Sequence, residues 1–196
     1  MNLSMETPFR ITFGILWMVY FGVRLFFQRQ IKGQKEYTLI NERQEKLLFR
    51  LFALAFILLP LYFLTPWIDF ASTPLPTWLR WGGGIIVCLG IILFGWAHQA
   101  LGQNWTAILA LSKGHEMVQN GPYRYIRHPM YSAFFVIGIG FGILSANWLI
   151  GLTWIGMTVL EVTSRIRLEE ALMIEYFGDQ YREYIYKTGR LFPKLL

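Results

Sequence analysis

Charged residues and cysteine are scarce in this chain of 196 residues. Only 15% of the residues are charged and 55% are hydrophobic, whereas an average soluble domain carries about 25% charged residues. This shortage of charge argues against a soluble globular protein. The single cysteine, Cys88, excludes an intrachain disulfide framework and a thiolate metal cluster. Because Cys88 lies in an apolar run, we expect it to be a small packing residue.

Histidine is also rare, and its placement does not predict a metal site. The three histidines, His98, His115 and His128, all lie between two apolar runs. The segment that begins at His115 has Gln119 where the second histidine of a zinc-protease helix would stand. We therefore predict no metal ion and interpret the histidines as residues of a membrane interface.

Glycine clusters and net charge also fail to indicate a nucleotide or a nucleic acid. The clusters at residues 82–84 and 138–142 lie in apolar runs instead of following a strand, so they predict close packing of helices through small residues. The net charge of +6 comes from basic residues that are interleaved with acids beside apolar runs. This placement indicates membrane topology rather than nucleic acid binding.

What the chain does contain is apolar sequence, in runs close to the roughly 20 residues that a helix needs to cross a bilayer. The last two runs are short and are separated by Ser145, Ala146 and Asn147, which is typical of a tight helical hairpin. The sequence predicts an all-α integral membrane helical bundle with about five transmembrane helices, at residues 11–27, 47–64, 81–97, 130–144 and 148–162.

The polar segments between these runs predict the orientation of the chain. Residues 28–50 are rich in lysine and arginine, so this loop should be cytosolic. The Pro-rich turn that follows the second run has few basic residues and should lie outside. The N-terminus is then outside, while residues 98–128 and the tail 163–196 share the cytosolic side. We predict two regions, a three-helix transmembrane region at 1–97 and a catalytic region at 98–196.

The stretch from Gly121 to Tyr131 carries the most specific pattern of the chain. Pro129 suits the first position of a helix, so His128 should precede free backbone N–H groups that attract anions. Tyr123 and Tyr131 can turn aromatic faces toward a cation such as a sulfonium. Taken singly, each tyrosine can also be an ordinary membrane-interface anchor.

The second polar cluster begins where the last run ends. Arg165 and Glu169 are four residues apart and share one face of a continuing helix, whereas Glu170 is offset from that face. A surface salt bridge is one interpretation. It does not explain why charge begins at the membrane boundary, where desolvation is costly. The position of Arg165 and Glu169 therefore favours a role beyond a surface salt bridge.

The two clusters together resemble a known family. Gly121-Pro122-Tyr123 and Arg127-His128-Pro129-Met130-Tyr131, then a hairpin, Arg165, Glu169 and Thr188-Gly189-Arg190-Leu191-Phe192-Pro193, are similar to the isoprenylcysteine carboxyl methyltransferase family over residues 101–196. The resemblance implies an integral membrane enzyme that uses S-adenosylmethionine, with Arg165 and Glu169 as candidate catalytic residues and Arg165 handling substrate. It implies a cofactor pocket formed by His115, Glu116, Met117, Val118, Tyr123, His128, Pro129, Met130, Tyr131 and Glu169.

The sequence leaves the substrate open. If the nucleophile is the carboxylate of a lipophilic, prenylcysteine-like substrate that enters from the bilayer, Arg165 can hold it bidentately and no base is needed. A phospholipid or small-molecule N- or S-methyltransferase is the alternative, in which His128 or a glutamate acts as base. A non-enzymatic scaffold or channel, or a reductase with a similar membrane core, are further alternatives.

Overall fold

The structure, a computed structural model, describes residues 3–30, 50, 58–102 and 117–194. These residues are mostly helical and form two isolated β-bridge pairs instead of a sheet. Short 3-10 helices lie at Asp69–Ala71 and Gly121–Arg124. The longer helices are α1 (Leu3–Gln30), α2 (described over 58–64), α3 (Thr77–Leu101), α4 (Pro129–Ser145), α5 (Trp148–Phe177) and α6 (Asp179–Lys187).

Among the described residues, three helices are long and apolar enough to cross a membrane. The candidate spans are Glu6–Arg29, Thr77–Leu101 and Trp148–Phe177, while the apolar helix α4 is shorter at 17 residues. The predicted all-α integral membrane bundle is confirmed. The number of about five spans stays a prediction, because most of the basic loop at 28–50 and much of the second predicted span lie outside the described residues.

Helix α4 packs closely against α3 through glycines. A Cβ atom on Gly83 would lie 2.5 Å from the Leu144 backbone nitrogen, and one on Gly140 would lie 2.7 Å from the backbone nitrogen of Val87. These distances confirm the prediction that the glycine clusters serve helix packing. Cys88, by contrast, is exposed, so the expectation that it is a small packing residue is not met among the described residues.

The turn between α4 and α5 is held by Asn147. Ala146 ends α4 with a left-handed φ of 49°, and the Asn147 side chain then accepts a 3.2 Å hydrogen bond from the Ile150 backbone nitrogen. The Asn147 amide also donates to the Ile68 carbonyl at 2.8 Å. This residue both caps α5 and joins the hairpin to the segment after α2, so the predicted tight hairpin is confirmed.

A buried ion pair joins α1 to the same end of the bundle. Arg80 at the start of α3 pairs bidentately with Glu6, at 2.7 and 2.9 Å, and its Nε donates to the Leu144 carbonyl at 3.1 Å. A charged donor in this setting contributes about 1.5 to 3 kcal/mol per hydrogen bond. The helix ends opposite the polar clusters are therefore fastened together.

Helix α5 continues past the apolar span predicted at 148–162, so Arg165 and Glu169 lie on a continuing helix as the sequence predicted. It runs for 30 residues to Phe177 without a break, whereas the predicted span ends at 162. The apolar pattern ends before the helix does, because the polar residues in the last part of α5 contact the start of α4 and the C-terminal segment. Gly178, with a φ of +58°, then separates α5 from α6, a backbone conformation that favours glycine.

Candidate functional site at the base of the hairpin

The hairpin brings the two polar clusters to one level of the bundle. Helix α4 begins at Pro129, as predicted, and His128 is its N-terminal flanking residue. At a rise of about 1.5 Å per residue, both Pro129 and Arg165 lie roughly 25 Å from the hairpin turn along their helices. Antiparallel packing of α4 and α5 therefore sets residues 165–170 beside the start of α4.

Glu169 of α5 contacts two side chains at that start. The Tyr131 hydroxyl donates a 2.6 Å hydrogen bond to Glu169 Oε1, and His128 Nδ1 lies 3.4 Å from Glu169 Oε2. The Glu169 side chain remains 27% exposed. The structure thus brings together Tyr131, His128 and Glu169, which the resemblance assigns to a cofactor pocket. The Glu169 carboxylate stays partly exposed and can still contact a ligand.

Glu170 lies at the centre of a second, more buried ion cluster. Its carboxylate accepts from Arg127 Nε at 3.0 Å and from Arg190 Nη2 at 2.5 Å, and it lies 3.3 Å from His128 Nε2. The Glu170 side chain is only 9% exposed. Buried charges require partners of this kind, so Glu170 serves to fasten the site rather than to face a ligand.

The C-terminal segment lies against the start of α4 like a short strand. Arg127 and His128 donate their backbone N–H groups to the carbonyls of Gly189 and Arg190, at 2.9 and 3.0 Å. The Ser132 hydroxyl donates to the Leu191 carbonyl at 2.5 Å. A Cβ atom on Gly189 would lie 1.7 Å from the Phe192 carbonyl oxygen. Only glycine fits here, which gives a physical reason for the Thr188 to Pro193 pattern.

His128 lies between the two glutamates and takes its charge state from them. Burial by itself lowers the pKa of His128, but hydrogen bonds to Glu169 and Glu170 and their negative charges raise it, so the net pKa is above its ordinary value. Histidine has an ordinary pKa of about 6.5. The imidazole is therefore favoured in its protonated form, bridging two carboxylates.

Arg165 occupies the turn of α5 before Glu169. Its guanidinium Nη1 lies 3.4 Å from Glu161 Oε1, one turn further toward the hairpin, and the Arg165 side chain is 16% exposed. Arg165 also acts electrostatically on Glu169 and on the Tyr131 hydroxyl. The two predicted catalytic residues therefore lie in one electrostatic network.

The remaining predicted pocket residues are arranged around this network or lie outside the described chain. Tyr123 is buried, and its carbonyl accepts a 2.6 Å hydrogen bond from the Tyr184 hydroxyl of α6. Burial raises the pKa of Tyr123 well above its ordinary value, so this phenol stays neutral. Pro129 is buried, whereas Met117, Val118 and Met130 are half-buried. His115 and Glu116 lie outside the described residues.

Several residues of the site were not singled out by the sequence pattern. The hub role of Glu170, with Arg127 and Arg190, joins segments 43 and 20 residues apart. Glu161 is four residues before Arg165, a spacing that can be recognised in the sequence. His98 was interpreted as an interfacial residue but is buried, with Nδ1 3.0 Å from the Phe94 carbonyl.

A groove of about 430 Å³ on α1 includes none of the predicted site residues. It is lined by Gly22, Leu25, Phe26 and Arg29.

The fold and the site define a class, an integral membrane helical protein with a carboxylate-rich polar site at the base of a helical hairpin. The model of the isoprenylcysteine carboxyl methyltransferase (ICMT) family matches residues 84–175. That range includes α4, most of α5 and both predicted catalytic residues. The resemblance to this family is confirmed.

Individual relatives agree with the family match. The chain is 35% identical over 109 residues to a protein-S-isoprenylcysteine O-methyltransferase of Schizosaccharomyces pombe, covering 55% of this chain and 46% of the relative. It is 33% identical over 128 residues to the Dictyostelium discoideum protein of that name, covering 62% of this chain and 53% of the relative. The chain thus spans about half the length of these relatives.

A solved structure shows the same architecture. It is described as the eukaryotic intramembrane Ras methyltransferase ICMT, and it matches 91% of this chain and 66% of its own with a TM-score of 0.58 and 25% identity. Membrane localisation of this chain follows from the apolar helices together with this match.

Proposed function

We propose that the protein is a membrane-embedded, S-adenosylmethionine-dependent methyltransferase that O-methylates the carboxylate of a lipophilic, prenylcysteine-like substrate. The observation that carries this proposal is the contact of Glu169 with Tyr131 and His128, one helical turn from Arg165. The choice of substrate is supported by the relatives, which are named as O-methyltransferases of isoprenylcysteine.

The residues around Glu169 fit the proposed cofactor by their chemistry. S-adenosylmethionine has an ammonium group and ribose hydroxyls, which are donors, and a sulfonium cation. The part-exposed Glu169 carboxylate is an acceptor with lone pairs beyond those that Tyr131 and His128 use. The Tyr131 ring can stabilise a nearby cation. Tyr123, His128, Pro129 and Met130, with His115, Glu116, Met117 and Val118, would complete the binding surface.

The reaction requires alignment more than acid or base chemistry. When bound, S-adenosylmethionine supplies an electrophilic methyl group attached to sulfur. Arg165 would hold the substrate carboxylate, so that one of its oxygens attacks the methyl carbon while the carbon–sulfur bond breaks. Alignment of this kind can lower a barrier by about 7 to 11 kcal/mol. A carboxylate already has its proton removed, so no residue has to act as base.

The location of the site suits a substrate with a long apolar tail. Arg165 and Glu169 lie at the polar end of an apolar helix, so a tail can remain in the lipid while the carboxylate reaches the arginine. We propose that this end faces the cytosol, with the N-terminus outside. We also propose that residues 98–196 form the catalytic region and that residues 1–97 form a supporting three-helix region.

The test is methyl transfer from labelled S-adenosylmethionine by the purified full chain in lipid. Two acceptors are compared, a prenylcysteine analogue with a free carboxylate and phosphatidylethanolamine. We expect label on the prenylcysteine analogue that alkali releases, because a methyl ester hydrolyses and a methylated amine does not. Alkali-stable label on phosphatidylethanolamine alone would replace the proposal with the N-methyltransferase alternative.

A further inference from the structure

Glu161 is an acidic residue near the polar end of the apolar span of α5, one residue before that span ends at 162. It lies 13 residues after the start of the helix at Trp148, which corresponds to about 20 Å along the axis. The hydrocarbon core of a bilayer is about 30 Å thick. The Glu161 side chain is 13% exposed. A carboxylate at this depth is costly unless it has partners, and such residues commonly have a function.

The surroundings of Glu161 link three helices. On α5, its Oε1 lies 3.4 Å from Arg165 Nη1. On α4, the Tyr131 hydroxyl is within electrostatic reach of both Glu161 and Arg165. On α1, Tyr20 is within electrostatic reach of both Glu161 and Arg24. Glu161 is therefore close to the groups that surround Arg165 from the membrane side.

Glu161, Arg165 and Glu169 form a ladder of alternating charge on one face of α5. Successive members are four residues apart, or about 6 Å along the axis. Arg165 is thus flanked by a carboxylate on each side. A guanidinium carries five N–H donors in a rigid fork, and a bidentate partner occupies only two of them. This fork suits a carboxylate that approaches from a fixed direction.

We propose that Glu161 is a positioning residue that holds the Arg165 guanidinium from the membrane side, so that the guanidinium is oriented toward the substrate carboxylate. This inference rests on the proposed function. Glu161 does not itself touch substrate or cofactor in this account. Its contribution is to fix one orientation of Arg165 and to balance its charge before the substrate arrives.

The account predicts a particular kinetic signature for Glu161→Gln. Without the Glu161 carboxylate, the Arg165 guanidinium can move together with the bound substrate instead of holding it in one orientation. The positive charge of Arg165 is also less compensated. We expect kcat to fall by about tenfold to a hundredfold, the loss that one misplaced charge-assisted hydrogen bond produces, while KM for the prenylcysteine carboxylate does not rise. Glu161→Asp, which keeps the charge, should recover part of kcat.

The experiment measures kcat and KM of the full chain in lipid for the wild type, Glu161→Gln, Glu161→Asp and Glu183→Gln. Glu183 is the matched control, because it also pairs at four-residue spacing, with Lys187 at 2.6 Å, but is exposed on α6. Glu183→Gln should leave both constants unchanged. Binding of S-adenosylhomocysteine is measured in parallel and should be equal in the wild type and Glu161→Gln.

Three results would overturn the inference. The first is a Glu161→Gln protein whose kcat stays within about twofold of the wild type. The second is a joint loss of kcat and S-adenosylhomocysteine binding, uncorrected in Glu161→Asp, which identifies a structural residue. The third is a wild-type protein that transfers no methyl group, which overturns the proposed function and the inference together. In the first two cases the proposed function stands.

Discussion

The Tyr131 hydroxyl of α4 donates a 2.6 Å hydrogen bond to the Glu169 carboxylate of α5. This contact joins the two arms of the hairpin at the level where α4 begins. It also orients the carboxylate that we propose as the acceptor for the cofactor. The pairing depends on the hairpin geometry, because 38 residues separate its partners.

Replacing Tyr131 should weaken the cofactor site without unfolding it. We expect Tyr131→Phe to reduce the affinity for S-adenosylhomocysteine by about twofold to tenfold, because one hydrogen bond contributes about 0.5 to 1.5 kcal/mol. Isothermal titration in detergent measures this change. Tyr125→Phe is the control, since Tyr125 is exposed. Equal affinity in Tyr131→Phe and the wild type would show that this hydroxyl does not support the site.

Glu170 should matter for stability more than for binding. We expect Glu170→Gln to lower the free energy of unfolding by roughly 2 to 4 kcal/mol, because it leaves Arg127 without its buried partner. The loss is below that of a fully buried pair because Arg190 is 52% exposed. Thermal unfolding in detergent measures it. Arg182→Gln breaks an exposed pair with Asp179 and should leave the free energy of unfolding nearly unchanged. Similar losses in both variants would refute the hub role of Glu170.

His128 should make stability depend on pH. Its folded pKa lies above the ordinary value of about 6.5, so its ion pairs contribute stability below that pH and lose it as the pH rises through the folded pKa. The melting temperature should therefore decrease as the pH rises above about 6.5. In His128→Gln this part of the decrease should disappear. An unchanged pH dependence in the variant would exclude His128 as its source.

The local features of the fold could be predicted from the sequence because their causes are local. Pro129 predicted the start of α4, and Ser145, Ala146 and Asn147 predicted the hairpin turn, since capping depends on neighbouring residues. The apolar span in α5 was predicted to end at 162, and the helix continues to Phe177. Its polar residues are stabilised by contacts with other segments, and such contacts are not visible in a hydrophobic pattern.

The site could be predicted only in part for the same reason. Tyr131, His128 and Glu169 were grouped through the family resemblance, and the structure brings them into contact. The hub role of Glu170 depends on Arg127 and Arg190, which reach it only after the C-terminal segment docks against α4. Cys88 was interpreted as a packing residue because it lies in an apolar run, but in a membrane the outer face of a helix is apolar too.

The glycine contact between α3 and α4 gives a test of the packing. We expect Gly83→Ala to destabilise the protein, because its Cβ would lie 2.5 Å from the Leu144 backbone nitrogen and the helices would have to separate. The loss should be about 1 to 3 kcal/mol, as for other overpacked sites. Gly82→Ala is the control, since no atom lies within 4 Å of its Cβ position. Equal melting temperatures for the two variants would contradict this packing.

The central claim is that Glu169 belongs to a site for the methyl donor, and titration of S-adenosylhomocysteine into the full chain tests it most directly. The account predicts binding to the wild type and to Glu183→Gln, and affinity reduced by about tenfold or more in Glu169→Gln, because a charge-assisted hydrogen bond contributes about 1.5 to 3 kcal/mol. Failure of the folded wild type to bind, or equal affinity in Glu169→Gln, would contradict it.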